Sequence, residues 1–203
     1  MRHKIYVAVL SLAEVRKELS IRLLEMSHDN RFYVKIKYHG LRPSSFNRNN
    51  IVEHFLKSDC DYLITIDNDT VPRKNPLDLV FHDKDIIGLP YPQVKGNEIG
   101  WLVMDKEGDR YRQVNLKNKK GLIECDAVGS GCMLIARRVL EAVVVPFERK
   151  WVDGVPVKGH DFYFCDKAKK MGFKVFTHLD YVCSHYKTVD LLQVLEWIGG
   201  KNE

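Results

Sequence analysis

Long apolar runs are absent from this 203-residue sequence: nothing in it approaches the ~18 consecutive apolar residues that a membrane span needs. No transmembrane segment is therefore expected. The amino terminus begins basic and turns apolar, as a signal peptide does, but its apolar run is short. Glu14, Arg16, Lys17 and Glu18 follow it, without a small-residue cleavage site, so it reads as the first core strand. Cysteine is sparse and unpatterned. The five (Cys60, Cys125, Cys132, Cys165 and Cys183) are odd in number and none has Cys-x-x-Cys spacing. That fits reduced thiols acting as small buried hydrophobes in a cytoplasmic compartment. The net charge of +5 is small and dispersed, which argues against nucleic acid and leaves a phosphate-bearing ligand or peripheral contact with an anionic membrane surface. Internal repeats, low-complexity tracts and linkers are missing too, and the length suits a single domain with its own core.

What is present has the profile of a soluble globular chain, with 45% hydrophobic and 29% charged residues. Residues 5–10 read as a strand. Leu12, Val15, Leu19, Leu23 and Met26 recur at helical spacing, and residues 32–38 alternate as a second strand. A loop with Pro43 leads to a helix that Ser44 or Ser45 would cap, with Phe46, Ile51, Val52, Phe55 and Leu56 on its buried side. The apolar run 62–66 is a third strand, giving β-α-β-α-β, the order of a parallel, nucleotide-binding type of sheet. Further on, Asn75-Pro76 opens a short helix and 85–90 reads as a strand. A polar stretch from 91 to 120 has room for a hairpin of 101–104 with 111–116. Runs at 123–128 and 132–136 flank Gly129-Ser130-Gly131, and a helix starts at Arg137. A glycine-bearing loop at 153–159 precedes a helix stopped by Gly172. Short strands at 174–177 and 181–183 lead to His185, and Val189, Leu192, Leu195 and Ile198 mark a closing amphipathic helix.

The third strand stops at Asp67-Asn68-Asp69, with Pro72 barring its simple continuation. Ligands of open α/β sheets sit beyond the carboxyl ends of the strands. Residues i and i+2 of extended chain point the same way, so Asp67 and Asp69 can converge on one hard cation. The same three residues are also ordinary turn formers. Two strand-end carboxylates with the imidazole of His185, completed by phosphate oxygens and water, make a good Mn²⁺ site and a passable Mg²⁺ site.

With these pieces in order, the chain resembles GT-A glycosyltransferases, most of all the family-2 type, over nearly its whole length. The resemblance rests on Ser45-Phe46-Asn47-Arg48-Asn49-Asn50 before the third strand and on Asp67-Asn68-Asp69 as a DxD motif. It rests also on the stretch from Asp126 through Gly129-Ser130-Gly131 to Arg138, on Gly159-His160-Asp161-Phe162, and on Cys183-Ser184-His185-Tyr186. It implies a Rossmann-like GT-A fold: a mostly parallel central sheet flanked by helices, with a small antiparallel acceptor-side part. A nucleotide-binding half would span 1–90 and an acceptor-binding, catalytic half 91–203. The implied activity is transfer of a sugar from a nucleoside-diphosphate-sugar donor to a hydroxyl of a saccharide, lipid-linked or protein acceptor. Asp69 would hold the divalent cation (Mn²⁺ or Mg²⁺), with His185 the late metal ligand. Asp67 would serve the donor ribose, or the metal through water. Arg48 and Asn49 would frame the donor pocket, and Gly129-Ser130-Gly131 would let backbone approach the sugar. Asp161 would be the general base of an inverting transfer. The family pairs that aspartate with a preceding glutamate, whereas here the preceding residue is His160. An Asp just before a helix is also a favoured N-cap, and a retaining mechanism follows if Asp161 is not the base.

Two other readings stay open. A sugar nucleotidylyltransferase would want a Gly-rich, basic loop after the first strand, where this chain has Ser11-Leu12-Ala13-Glu14. A nucleotide-sugar or glycan-binding module without turnover is the non-enzyme alternative, which the His160 departure keeps open. Trp101 and Trp151 are candidates for stacking on an acceptor sugar; Trp197 has the spacing of a helix-face residue. Lys158 and Lys187 read as solvated lysines or phosphate contacts.

Overall fold

The computed structural model describes residues 2–12, 14–95, 98–108 and 110–199, with the backbone alone at 95, 156, 193 and 197–199. The side chains of Trp197 and Ile198 thus lie outside the described residues. In chain order the first half holds β1 (Lys4–Leu10), α1 (Lys17–Ser27), β2 (Tyr33–His39), α2 (Ser44–Leu56), β3 (Tyr62–Asp67), β4 (Thr70–Pro72), a 3-10 turn at Pro76–His82 and β5 (Ile86–Gly88). The second half holds β6 (Pro92–Lys95), β7 (Glu98–Trp101), β8 (Val103–Glu107), β9 (Arg110–Gln113), β10 (Leu122–Cys125), β11 (Ala127–Val128), β12 (Cys132–Ala136) and α3 (Arg137–Ala142). It continues with β13 (Lys150–Val152), β14 (Val155–Lys158), α4 (His160–Lys170), β15 (Val175–His178), β16 (Cys183–His185) and α5 (Leu191–Gly199).

A seven-stranded sheet in the order β10-β15-β5-β12-β3-β1-β2 carries the molecule. β1, β2, β3, β5 and β15 point one way; β12 and β10 run against them. β1 and β3 are buried along nearly their whole length, as parallel strands covered on both faces should be, and hence read as unbroken apolar runs. β2 is the edge and alternates instead. Leu19, Leu23 and Met26 of α1, Ile51, Val52 and Phe55 of α2, and Phe164, Cys165 and Ala168 of α4 close the core. The five cysteines are all buried and unbridged. No described helix is long and apolar enough to cross a membrane.

Several local expectations change. The residue preceding α2 is Pro43, and no side chain caps the helix, so neither Ser44 nor Ser45 serves as expected. Phe46 is 58% exposed, and the polar Asn47 and Arg48 take the buried face instead. The run 123–128 is split between two sheets, β10 in the large one and β11 against β8. The loop at 153–159 is mostly hairpin: β13 and β14 pair around Asp153 and Gly154, both at positive φ (49° and 76°). The polar segment forms two hairpins, β6–β7 and β8–β9. Pro72 does not end the third strand. The turn at Asn68-Asp69 does, and the chain resumes as β4, with Pro72 as its last residue.

Candidate active site

Register brings the site together. Asp67, the last residue of β3, lies beside Leu10 at the end of β1. Antiparallel β12 pairs Cys132 with Ile66, so Gly131 arrives opposite Asp67, and its carbonyl accepts the Asp67 N–H at 2.8 Å. The small β4–β16 ribbon places His185 across from Thr70, and the Tyr186 N–H donates to the Asp69 carbonyl at 2.8 Å. This backbone pairing sets a late histidine next to the strand-end turn. Around these ends opens a cavity of about 720 Å³, within the range of small-molecule sites. Arg48, Asp67, Asp69, Ser130, Asp161 and His185 all line it.

The two aspartates meet different partners. Arg48, 2% exposed, sends Nη2 to both carboxylate oxygens of Asp67 at 2.7 and 2.9 Å. The guanidinium lies over the Phe147 ring, 5.8 Å from its centroid. Among the described residues its Nε and Nη1 are buried with no partner, so a donor capacity remains beside the cavity. Burial pushes the Asp67 carboxyl above its ordinary range, and Asp69 and Asp161 add to this; Arg48 opposes them.

Asp69 Oδ2 takes the Lys187 ammonium at 2.6 Å and lies 3.5 Å from His185 Nε2. Burial works against ionisation here as well, yet Lys187 and His185 outweigh it and the carboxyl is held below its usual range. His185 Nδ1 is 2.8 Å from the Pro92 carbonyl. A carbonyl only accepts, so Nδ1 carries the proton and Nε2 presents its lone pair towards Asp69 when the ring is neutral. That second hydrogen bond is the usual support of a metal-binding imidazole. Among the described residues no group of three or more His, Cys, Asp and Glu side chains is arranged to hold a metal. Asp67 is turned to Arg48, which leaves the Asp69 carboxylate and the His185 imidazole as side chains that could offer a cation an oxygen and a nitrogen. Two ligands suit Mg²⁺ or Mn²⁺ sites in which phosphate oxygens and water supply the rest.

Asp161 and His160 enter from the first turn of α4. The residue before the helix is Gly159, so Asp161 is not the N-cap; its Oδ1 accepts the Phe162 N–H at 2.9 Å. Burial lowers the pKa of His160, and Arg48 and Arg149 lower it further, against Asp161.

Three expected placements differ. Asn49 does not line the cavity: its amide is paired with the Phe147 backbone, donating to the carbonyl at 2.6 Å and accepting the N–H at 2.9 Å. Asn47, one residue earlier, lines it instead. The room left by Gly129 and Gly131 is taken by Tyr91. A Cβ at Gly131 would sit 2.9 Å from the Tyr91 ring, and one at Gly129 would collide with its hydroxyl. Tyr91 carried no signal in sequence. Its hydroxyl accepts the Gly131 N–H at 3.3 Å, leaving its proton to donate. Burial, then Asp161 and Asp67, push its pKa far above the ordinary value. Lys187, read as a solvated lysine or phosphate contact, is on Asp69.

No protein-family model matches this chain, and no curated protein matches it in sequence. Solved structures do match. A197 from STIV superposes with a TM-score of 0.64 at 20% identity, over 93% of this chain and 87% of that one. The fold is GT-A. GalNAc-T7, whose structure contains UDP, GalNAc and Mn²⁺, superposes with a TM-score of 0.56 at 15% identity. That match takes 93% of this chain and 44% of GalNAc-T7, so this chain spans less than half of that protein's length. At such identities the GT-A likeness concerns the fold alone, and it agrees with the mostly parallel, helix-flanked sheet expected from the order of motifs.

Proposed function

We propose that this protein is a metal-dependent glycosyltransferase that moves a sugar from a nucleoside-diphosphate donor to an acceptor hydroxyl. The observation that carries this reading is the Asp69–His185 pair, with Nε2 and Oδ2 3.5 Å apart, in a cavity that also contains Asp161. The strand-end position of Asp69 supports it, as does the neighbour GalNAc-T7, solved with a nucleotide, a sugar and Mn²⁺. Asp69 and His185 would hold Mn²⁺ or Mg²⁺, with Pro92 fixing the imidazole. The ion, when bound, supplies charge stabilisation to the departing diphosphate. Arg48 holds Asp67 in place, and the free lone pairs of Asp67 are available to a ribose hydroxyl. Asp161 would take the acceptor proton as that oxygen attacks C1 and the bond from C1 to the diphosphate oxygen breaks, with inversion. Tyr91, kept protonated, can donate to the sugar or to a neighbouring carboxylate.

One observation favours a second reading. Lys187 already places a positive charge 2.6 Å from Asp69, as a module that binds nucleotide sugars without metal or turnover would require. The two separate cleanly. For the transferase, UDP with Mn²⁺ should raise the melting temperature of the full chain, His185→Ala should abolish that increment, and UDP-sugars should be hydrolysed slowly with Mn²⁺ present. Equal nucleotide binding with and without metal, and no turnover on any donor, would leave the binding module.

A further inference from the structure

Consecutive residues at the β7 end line different cavities. Leu102 lines the 720 Å³ cavity, while Trp101 lines a second one of about 640 Å³. Tyr91 and Pro90 divide in the same way. Trp101 pairs with Pro92, and the Leu102 N–H donates to the Tyr91 carbonyl at 3.2 Å. The two cavities therefore share a wall made of these two segments, 90–91 and 101–102.

The second cavity has an apolar floor that includes Val182 and Leu179 and a polar rim of Gln113, Asn115, Lys117 and Lys119. Its indole is half-buried. A Cβ at Gly100 would collide with the Gln113 carboxamide, so the missing side chain leaves that amide room to lie across the strand, and Gln113 and Trp101 both line this cavity. Among the described residues the Gln113 amide has no hydrogen-bond partner, and neither lysine has a carboxylate within 4.0 Å. Asn115 Oδ1 accepts the Lys117 N–H at 3.0 Å, which leaves its NH₂ group to donate outward. The Lys119 N–H closes the same turn onto the Leu116 carbonyl at 3.1 Å.

We infer that this cavity binds an anionic sugar unit, a pyranose bearing a carboxylate or sulfate. An indole on an apolar floor packs against the apolar face of a pyranose. Side-chain amides match hydroxyls, which both donate and accept. Two lysines with no carboxylate in salt-bridge range favour a negative charge here, Asp105 and Glu107 lining the adjoining cavity on the other side of them. The rim contains neither a helix N-terminus nor a glycine-rich backbone cradle of the sort that holds nucleotide phosphates. If the transferase reading holds, and only then, the shared wall makes this cavity a distal subsite for the acceptor.

The test is an NMR titration of the ¹⁵N-labelled protein without metal or sugar donor, following the Trp101 indole N–H. Cellobiouronic acid is the acidic probe, a sulfated glucose its sulfate counterpart, cellobiose the neutral control and UDP the competitor. The Trp101 signal should shift with the acidic or the sulfated probe at about tenfold lower concentration than with cellobiose. Trp101→Ala should abolish binding. Lys117→Ala combined with Lys119→Ala, an exposed pair whose loss leaves the fold intact, should remove the preference for charge while sparing the neutral sugar. Equal affinity for cellobiose, no shift with any sugar, or saturation by UDP instead would each overturn the assignment. Because no metal or nucleotide donor is present, failure here leaves the UDP–Mn²⁺ response of the other cavity to be judged separately.

Discussion

Asp67 and Asp69 leave the same strand end two residues apart, yet they are treated as different kinds of group. Asp67 faces a buried guanidinium, and its carboxyl is displaced upward by burial. Asp69 faces a lysine and an imidazole, and its carboxyl is displaced downward in spite of burial. The Arg48 side chain is 3% exposed, and that of Lys187 53%. A buried partner holds a carboxylate for architecture; an exposed one can be exchanged for a ligand. The lesson is that the spacing of a carboxylate pair says little about its division of labour, which is set by what arrives opposite each member.

That contrast can be broken most sharply at Asp69. Asp69→Asn should lower metal-dependent donor hydrolysis by about 10³-fold, the order of a lost charge-stabilising group. Its melting temperature should fall by no more than about 4 °C, because an exposed ion pair contributes only about 0–1 kcal/mol. A large loss of stability would mean that Asp69 is architectural too. Next comes Arg48→Ala, which strands Asp67 and removes packing on Phe147. It should cost about 3 kcal/mol, a fall of about 6–12 °C in a chain of this size, read by calorimetry. A stable variant that has lost only nucleotide affinity would turn Arg48 into a ligand contact first. Gly131→Ala should cost about 1–3 kcal/mol by driving a methyl into Tyr91 and Thr70, and adding Tyr91→Leu should recover part of it. Recovery of none would place the strain in the backbone.

The smallest effect is in pH. His160 has its folded-state pKa lowered by burial, so the unfolded chain binds the proton more readily. The stability it contributes is present above the ordinary histidine value, near 6.5, and is lost as pH falls through that value towards the lowered one. The melting-temperature advantage of the wild type over His160→Gln should therefore shrink between pH 7 and pH 5. A constant difference would show that His160 is not held in its neutral form.

Much of this arrangement was legible in the chain. β1 and β3 announced themselves because strands covered on both faces are unbroken apolar runs, and Asp67 and Asp69 because they end one abruptly. His185 was legible only through the order of motifs: nothing local in 183–186 says that it pairs beside Thr70. On the helix before β3, Ile51, Val52 and Phe55 are buried as their spacing implies and Leu56 packs against the core; Phe46 alone departs. Phe46 is apolar yet exposed, whereas its polar neighbours Asn47 and Arg48 are buried and line the cavity. Asn49, one step further round the helix, meets the Phe147 backbone instead. Tyr91 was invisible because its role is complementary in shape to Gly129 and Gly131, and shape is not written in any spacing. The closing helix forms from Leu191, two residues past Val189, and its expected apolar face is open: Leu192 and Leu195 are 62% and 66% exposed.

The β4–β16 ribbon has a temporal side. On a ribosome, β1, β2, β3 and Arg48 are all available early, so the Arg48–Asp67 pair can form while synthesis continues. His185 and Lys187 are translated more than a hundred residues after Asp69 (the Lys187 contact spans 118), and the ribbon that seats His185 beside it needs residues 183–185. A nascent chain can thus hold the Arg48–Asp67 pair long before the Asp69–His185–Lys187 group is complete, and that group is a late event of biosynthesis.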